Sequence, residues 1–328
     1  MEKITIIGGG AWGATLAQVL TDNKNEVLIY DNNFEYIQQI NKQKHPFFDI
    51  VLSEKIQATD SLDKALNYSD FICLAIPAQN MRHLFKKINQ NLTVPKNFIN
   101  VSKGIEFQSN KLICQIIKEE INENKIKNYA FLVGPSHAEE VILRKITFLM
   151  VSSLNQEFAL NIARIFSNPR YLKVTVSNDV LGCEICASFK NALALVSGLL
   201  DDGINFAHNA RSAFITFGIF EMKKILISFS NSISDDTVLS LAGLGDLSVT
   251  VFNENSRNYQ AGKKIQMGQT LNQIYEQSNQ VIEGIYNLKV FYHLAIQNKI
   301  NLPIIKSAYQ IVFNNKPISN ILLNLLEK

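Results

Sequence analysis

Ile4-Thr5-Ile6-Ile7-Gly8-Gly9-Gly10-Ala11-Trp12-Gly13-Ala14-Thr15-Leu16-Ala17-Gln18-Val19-Leu20 is the stretch whose reading decides the fold. Ile4–Ile7 has the apolar, branched character of a short buried strand, and Ala14–Leu20 that of a helix. Between them lies G-x-G-x-x-G, opening a helix directly after a strand. In that setting Gly8 permits the tight turn, Gly10 lets backbone approach a pyrophosphate, and Gly13 lets helix pack on strand. The amides at the helix N-terminus then face the phosphates. The pattern alone is weak evidence and a glycine-rich structural turn is the plain alternative; the flanking strand and helix supply the required context. The next strand, Val27–Tyr30, ends at Asp31, roughly 20 residues beyond the glycines, where an acidic side chain accepts hydrogen bonds from a ribose. A strand-ending turn residue is the other reading of Asp31.

Outward from this unit, short apolar runs alternate with amphipathic stretches, the pattern of βαβ units and a parallel sheet. Further strands are expected at Phe71–Ile76, Phe98–Val101, Ala130–Val133, Thr147–Ser152 and Leu172–Val176, with a helix over Lys111–Ile121. After Ser177-Asn178 the strand pattern stops and helical periodicity takes over, at Val180–Leu200, Ala207–Phe229, Gly284–Gln297 and Pro303–Phe313. The expected architecture is an α/β Rossmann domain with a mostly parallel, doubly wound sheet over residues 1–178. An all-helical substrate and catalytic domain follows over residues 179–328. No fixed-period repeat and no low-complexity linker interrupts the chain.

Bulk composition narrows the function classes. The chain has 328 residues, 47% of them apolar and 19% charged, which suits packed cores and excludes a largely disordered protein. Net charge is only +3 and no long run of like charge occurs, so neither a nucleic-acid partner nor a polybasic membrane anchor is expected. No membrane span is expected, because every long apolar stretch carries a charge. Met1-Glu2-Lys3-Ile4 runs straight into the first strand, so no signal peptide is expected, and four cysteines in a chain of this size are not expected to make a disulfide framework. A cytoplasmic location is the expectation.

Gly182–Gly198 is apolar on nearly every face, as a buried helix is, yet carries Lys190 and Asn191 at its centre. Burial disfavours the ammonium form and lowers a lysine's pKa toward neutrality, as a general base requires. A lysine paired with a carboxylate is the alternative. Cys183 and Cys186 stand within the same helix without a second cysteine pair, and read as small buried side chains. His45, His83, His137, His208 and His293 lack ligand spacing, so no metal site is expected.

The chain resembles the bacterial-type NAD(P)-dependent glycerol-3-phosphate dehydrogenases over nearly its full length, from Ile4 to about Phe313. The motifs that carry the resemblance are GGGAWG at 8–13, SKGIE at 102–106, VGPSHAEEV at 133–141, GCEICASFKN at 182–191, GLGDLSVT at 243–250, SRN at 256–258 and VIEG at 281–284. It implies the two-domain architecture, a homodimer, and hydride transfer at carbon 2 of glycerol 3-phosphate to give dihydroxyacetone phosphate, a supply of phospholipid backbone. It implies Lys190 as proton acceptor, with Asp246 and Lys103 positioning it and the substrate. Gly134, Ser136, Asn191 and Thr250 match further substrate contacts, and Ser256, Arg257 and Asn258 match the group that holds the phosphate. At the cofactor it implies Gly8, Gly10, Ala11, Trp12 and Gly13, together with Lys103, Ala138, Arg257, Val281 and Glu283. Taken singly, Asp246 could be a turn or helix cap, and Ser256–Asn258 an N-cap followed by solvated side chains.

Three positions depart from the family. Ala11 replaces a serine before the tryptophan. Phe217 stands where an arginine is common, which alters a surface ion pair or a domain contact. Asn32-Asn33 replace the basic residues that usually follow the second strand, so a 2′-phosphate would meet Asp31 without a counter-charge; NAD is therefore expected to be preferred over NADP. Two rival functions remain: another Rossmann-plus-helical hydroxy-acid dehydrogenase, and a non-catalytic NAD-binding sensor. SRN and SKGIE speak against the first; the retention of Lys190, Asp246 and Arg257 speaks against the second.

Overall fold

Alternating burial along the central strands explains why helices cover both faces of the sheet. On β1 (Lys3–Ile7) Ile4 and Ile6 point into one core, while Ile7 points into another. Likewise on β4 (Phe71–Leu74) Cys73 joins the first core, and Ile72 and Leu74 the second. Strands buried on both faces need apolar residues at nearly every position, which is why they stand out in the sequence. In this computed structural model residues 1–229, 235–278 and 281–318 are described.

The remaining strands are β2 (Glu26–Tyr30), β3 (Ile56–Thr59), β5 (Lys96–Asn100), β6 (Ile126–Val133), β7 (Thr147–Ser152) and β8 (Leu172–Ser177). They form one sheet in the order β3-β2-β1-β4-β5-β6-β7-β8. Pairing is parallel except between β6 and β7. Strand order reverses between β1 and β4, so the loop leaving β1 opens at the topological switch point, the usual ligand edge of such a sheet. Sequence reading finds seven of these strands and misses β3. That edge strand is four residues long, Ile-Gln-Ala-Thr, and buries only its two ends, so its apolar signal is too thin.

The helices are α1 (Ala11–Asp22), α2 (Phe34–Asn41), α3 (Leu62–Tyr68), α4 (Met81–Asn91), α5 (Ile113–Glu120), α6 (Ala138–Val141) and α7 (Gln156–Phe166). They continue with α8 (Val180–Leu200), α9 (His208–Phe229), α10 (Asp235–Leu239), α11 (Asp246–Thr250), α12 (Arg257–Gln266), α13 (Leu271–Glu276), α14 (Glu283–Gln297) and α15 (Pro303–Asn314). The expected helix over Lys111–Ile121 is shorter at both ends.

Two compact units result. One comprises Met1–Ser102 with Ile113–Val180, the other Lys103–Leu112 with Leu181–Lys328. The division is therefore not the single cut expected near residue 178, because the segment after β5 joins the helical unit. Residues 319–328 of the expected second domain lie outside the described residues. Within the second unit α8 is the central helix. By length and composition it could cross a membrane, but 94% of its apolar window is buried inside the protein. Phe217 lies on the outer side of α9, 37% exposed.

Candidate active site

Two of the three loop glycines are demanded by the chain's own packing. Gly8 has φ +112°, and a Cβ there would lie 2.5 Å from the Ala75 carbonyl oxygen; one on Gly13 would lie 1.9 Å from that of Gly8. Gly10 is different, since a Cβ there meets nothing within 4 Å. The space in front of Gly10 is open, and glycine there suits close approach by something other than protein. Gly10 is also the N-cap of α1 and provides no side-chain cap, and the first turn carries no acidic residue. The amides of Ala11, Trp12 and Gly13 at a helix start favour an anion. These residues fit the pyrophosphate of a dinucleotide. The absence of a serine hydroxyl at Ala11 leaves that task to backbone amides.

Asp31 sits against this loop. Its carboxylate accepts hydrogen bonds from the Gly9 amide at 2.5 Å and the Asn33 amide at 2.8 Å. A carboxylate offers about four acceptor sites, so two bonds fix its orientation and leave capacity for ribose hydroxyls. Asn33 is the N-cap of α2, its side-chain oxygen accepting from the Glu35 and Tyr36 amides. On the same unit Gly134 and Ser136 follow β6, the Ser136 hydroxyl donating to the Gly134 carbonyl at 3.1 Å, and Ala138 opens α6.

The second unit gathers the chemistry. Asp246 follows a turn of π-helix, Leu241–Gly245, whose start is capped by the Ser240 side chain, and it opens α11. Such turns recur at functional sites. The Lys190 ammonium donates to one Asp246 oxygen at 2.8 Å, and the Lys103 ammonium to the other at 2.7 Å. Lys190 also donates to the Thr250 hydroxyl at 2.8 Å, which in turn donates to the Asp246 carbonyl at 2.6 Å. The lysine is thus both of the things its sequence allowed, a buried amine and a carboxylate's partner.

Burial pushes the Lys190 ammonium down to about 8; Asp246 opposes the shift and the Lys103 charge adds to it. For Asp246 burial alone would raise the carboxyl, but the charges and hydrogen bonds of Lys103 and Lys190 outweigh it and hold it below the usual carboxylate range. One carboxylate between two ammonium groups leaves a net positive charge in a buried place. That arrangement keeps an amine ready to give up a proton near neutral pH and a carboxylate that stays ionised.

Ser256, Arg257 and Asn258 form a second group at the start of α12. The Ser256 hydroxyl oxygen caps α12 by accepting from the Tyr259 amide at 3.4 Å. The Asn258 side-chain oxygen accepts from the Gly284 amide at 2.9 Å. Arg257 is exposed and donates to the Val281 carbonyl at 3.3 Å. These bonds turn the acceptor oxygens of Ser256 and Asn258 toward the protein's own amides, and the three side chains still have donors to present: a hydroxyl hydrogen, an amide and a guanidinium. With the amides of the helix start, that is a set of groups for an anion. Gly284 ties this group to α8, since a Cβ there would lie 2.5 Å from the Asn191 carbonyl oxygen and 3.0 Å from Asn258 Cγ. Val281 and Glu283 stand at the same corner, Glu283 opening α14.

The sequence reading thus names all four residues of the buried cluster and the group at α12. It misses Asn287, wholly buried on α14, which bonds to both segments that carry the lysines. No motif marks it; its only signal is an amide on an otherwise apolar helix face. Among the described residues no three His, Cys, Asp or Glu side chains stand together as a metal site.

Comparison with known proteins agrees on one family. Residues 3–159 match the model of the NAD-dependent glycerol-3-phosphate dehydrogenase N-terminus, and residues 179–323 that of its C-terminus. The glycerol-3-phosphate dehydrogenase (NAD(P)+) of Phytoplasma mali is 53% identical, covering 99% of this chain and 97% of its own. That of Staphylococcus haemolyticus is 34% identical, covering 99% and 98%. The crystal structure of glycerol-3-phosphate dehydrogenase from Coxiella burnetii superposes with a TM-score of 0.89 at 26% identity, over 100% of this chain and 99% of that one. Two family models in succession, full-length relatives and a matching fold lead to one conclusion: the chain belongs to the NAD-dependent glycerol-3-phosphate dehydrogenase family.

Proposed function

We propose that this chain interconverts sn-glycerol 3-phosphate and dihydroxyacetone phosphate with a nicotinamide cofactor, the sheet-bearing unit holding the dinucleotide and the helical unit, with residues 103–112, supplying most of the substrate site. The observation that carries this reading is the buried Lys190–Asp246–Lys103 cluster, an amine near neutral pKa beside a fixed carboxylate. The cofactor, when bound at the Gly8–Gly13 loop, supplies or removes the hydride.

Lys190, as the free amine, takes the proton from the carbon-2 hydroxyl during oxidation, and as the ammonium returns it during reduction. Asp246 and Thr250 hold its nitrogen in place, and Lys103 offers a second cationic donor to the reacting oxygen. Gly134, Ser136 and Asn191 complete the substrate contacts. Ser256, Arg257 and Asn258 grip the phosphate, and this remote anchor aligns carbon 2 for reaction. Lys103, Ala138, Arg257, Val281 and Glu283 join the cofactor site. The product is a phospholipid backbone precursor, and the enzyme works as a cytoplasmic homodimer.

NADH absorbance with a panel of small ketones tests the proposal. Fast oxidation is expected with dihydroxyacetone phosphate and not with unphosphorylated dihydroxyacetone. Comparable rates with both would remove the phosphate site, and a best substrate outside the triose phosphates would restore the rival hydroxy-acid dehydrogenase.

A preference for NADH over NADPH belongs to the same reading. A 2′-phosphate would stand beside Asp31, whose carboxylate is pinned to the Gly9 and Asn33 amides and cannot turn away. Asn33 occupies the α2 amides that could otherwise greet a phosphate, and Glu35 adds an acid to that first turn. Two unit charges about 5 Å apart at an effective dielectric near 20 repel by roughly 3 kcal/mol. Solvent and salt reduce this, so a preference of about tenfold or more is expected in catalytic efficiency at one ionic strength. Asp31→Ser with Asn32→Arg should shift the ratio toward NADPH. Equal use of both cofactors by the unaltered protein would mean that Asp31 does not face the ribose.

A further inference from the structure

Asn287 is 0% exposed, and an amide so buried is costly unless both its ends are bonded. Both are. Its NH2 donates to the Ser188 carbonyl at 2.8 Å, and its oxygen accepts from the Ile105 amide at 3.4 Å. Ser188 stands two positions before Lys190 on α8, and Ile105 two positions after Lys103. The two lysines meet again on the two oxygens of Asp246, at 2.8 and 2.7 Å. One side chain therefore closes a ring that runs through α8, Lys190, Asp246, Lys103 and Ile105.

The Lys103 side of that ring needs such a tie. Gly104, between Lys103 and Ile105, has φ +151°, a backbone setting open to glycine. Neighbouring contacts also hold the elements together. The Tyr286 and Phe107 rings lie 5.9 Å apart, the Lys289 ammonium sits 4.6 Å above the Phe107 ring, and Phe189 on α8 meets Phe291 on α14 edge to face at 4.8 Å. These apolar and cation–π contacts bring α14 to α8 and to the 103–112 segment. The Asn287 amide bonds to backbone on both.

We infer that Asn287 is a positioning residue for the reaction, its two hydrogen bonds setting Lys103 and Lys190 at their shared carboxylate. The inference rests on the proposed reaction for its kinetic test, and on lysine chemistry for a test that needs no turnover. Without the tie to Ile105, Lys103 leaves Asp246. Lys190 then faces Asp246 and Thr250 without a second cation, which favours its charged form.

The test is Asn287→Leu, alike in side-chain branching and unable to bond, in the full-length protein. Turnover of glycerol 3-phosphate should fall about tenfold while KM changes less than about threefold, the mark of misplaced reacting groups. The rise of the oxidation rate with pH should move to higher pH, since the amine is harder to deprotonate. Reductive methylation with formaldehyde and borohydride, read by peptide mass spectrometry, should label Lys103 several-fold faster. If the leucine variant does not fold, Asn287→Ser, too short to span both carbonyl and amide, is read by the same measurements. Turnover, pH profile and Lys103 labelling all within about twofold of the unaltered protein would make Asn287 core volume and overturn the inference. So would lost turnover with an unmoved pH profile and unchanged labelling. If the unaltered protein fails to turn over triose phosphate, the proposed function falls, and Lys103 labelling alone decides the role of Asn287.

Discussion

Replacing Lys190 by Met is expected to lower turnover by about 10²- to 10⁴-fold, the usual cost of removing a positioned acid–base group. The substitution keeps the side chain's length and apolar stem while removing the nitrogen that donates to Asp246 and Thr250. Asp246 keeps its bond to Lys103, so no unpaired buried carboxylate is created, and the melting temperature should move by only a few degrees. NADH binding should persist because the glycine loop is untouched. The pH dependence gives an independent reading. With the Lys190 pKa brought down to about 8, oxidation of glycerol 3-phosphate should speed up as pH rises through that value, because the free amine is the base. Reduction of the ketone should slow over the same range, because the ammonium is the acid. The variant should lose both limbs. A variant that keeps more than about a tenth of normal turnover would show that the lysine serves the core and not the reaction.

Arg257→Ala is expected to raise KM for dihydroxyacetone phosphate by about 10- to 150-fold. A hydrogen bond to a charged group is worth roughly 1.5–3 kcal/mol, and each 1.4 kcal/mol is a factor of ten. In the protein itself Arg257 is exposed, makes a long bond to the Val281 carbonyl and is attracted to the Glu283 carboxylate, exposed interactions of small worth, so its loss should leave thermal stability nearly intact. At saturating NADH, residual activity on unphosphorylated dihydroxyacetone should be unaffected, which separates loss of phosphate binding from general damage. An unchanged KM in a folded variant would return Arg257 to a solvated helix-start residue. The Ser256 and Asn258 substitutions are less clean tests, because each side chain also caps or anchors a helix.

Much of the molecule is local in character and could be read along the chain. The glycine loop, the strand ending at Asp31 and the buried helix bearing Lys190 each follow from residue type and spacing within one or two elements. Central strands buried on both faces and a long apolar helix produce strong periodic signals. The thin edge strand Ile56–Thr59 does not, since only its two ends are buried.

What tertiary structure alone decides is which distant residues share an environment. Nothing in the order of the chain says that Lys103, Lys190 and Asp246 end on one carboxylate, or that residues 103–112 fold with the helices and not with the sheet they leave. Resemblance names those residues, but the shift of the Lys190 amine depends on burial and on a second cation, which exist only after the chain has closed. The same holds for Asn287. A lone amide on a helix carries no pattern, and its meaning comes from the carbonyl of Ser188 and the amide of Ile105 reaching it from two other segments. Periodicity reports which face of an element is buried; hydrogen bonds and charge pairs depend on what that face is buried against, and this is set by packing across the whole unit.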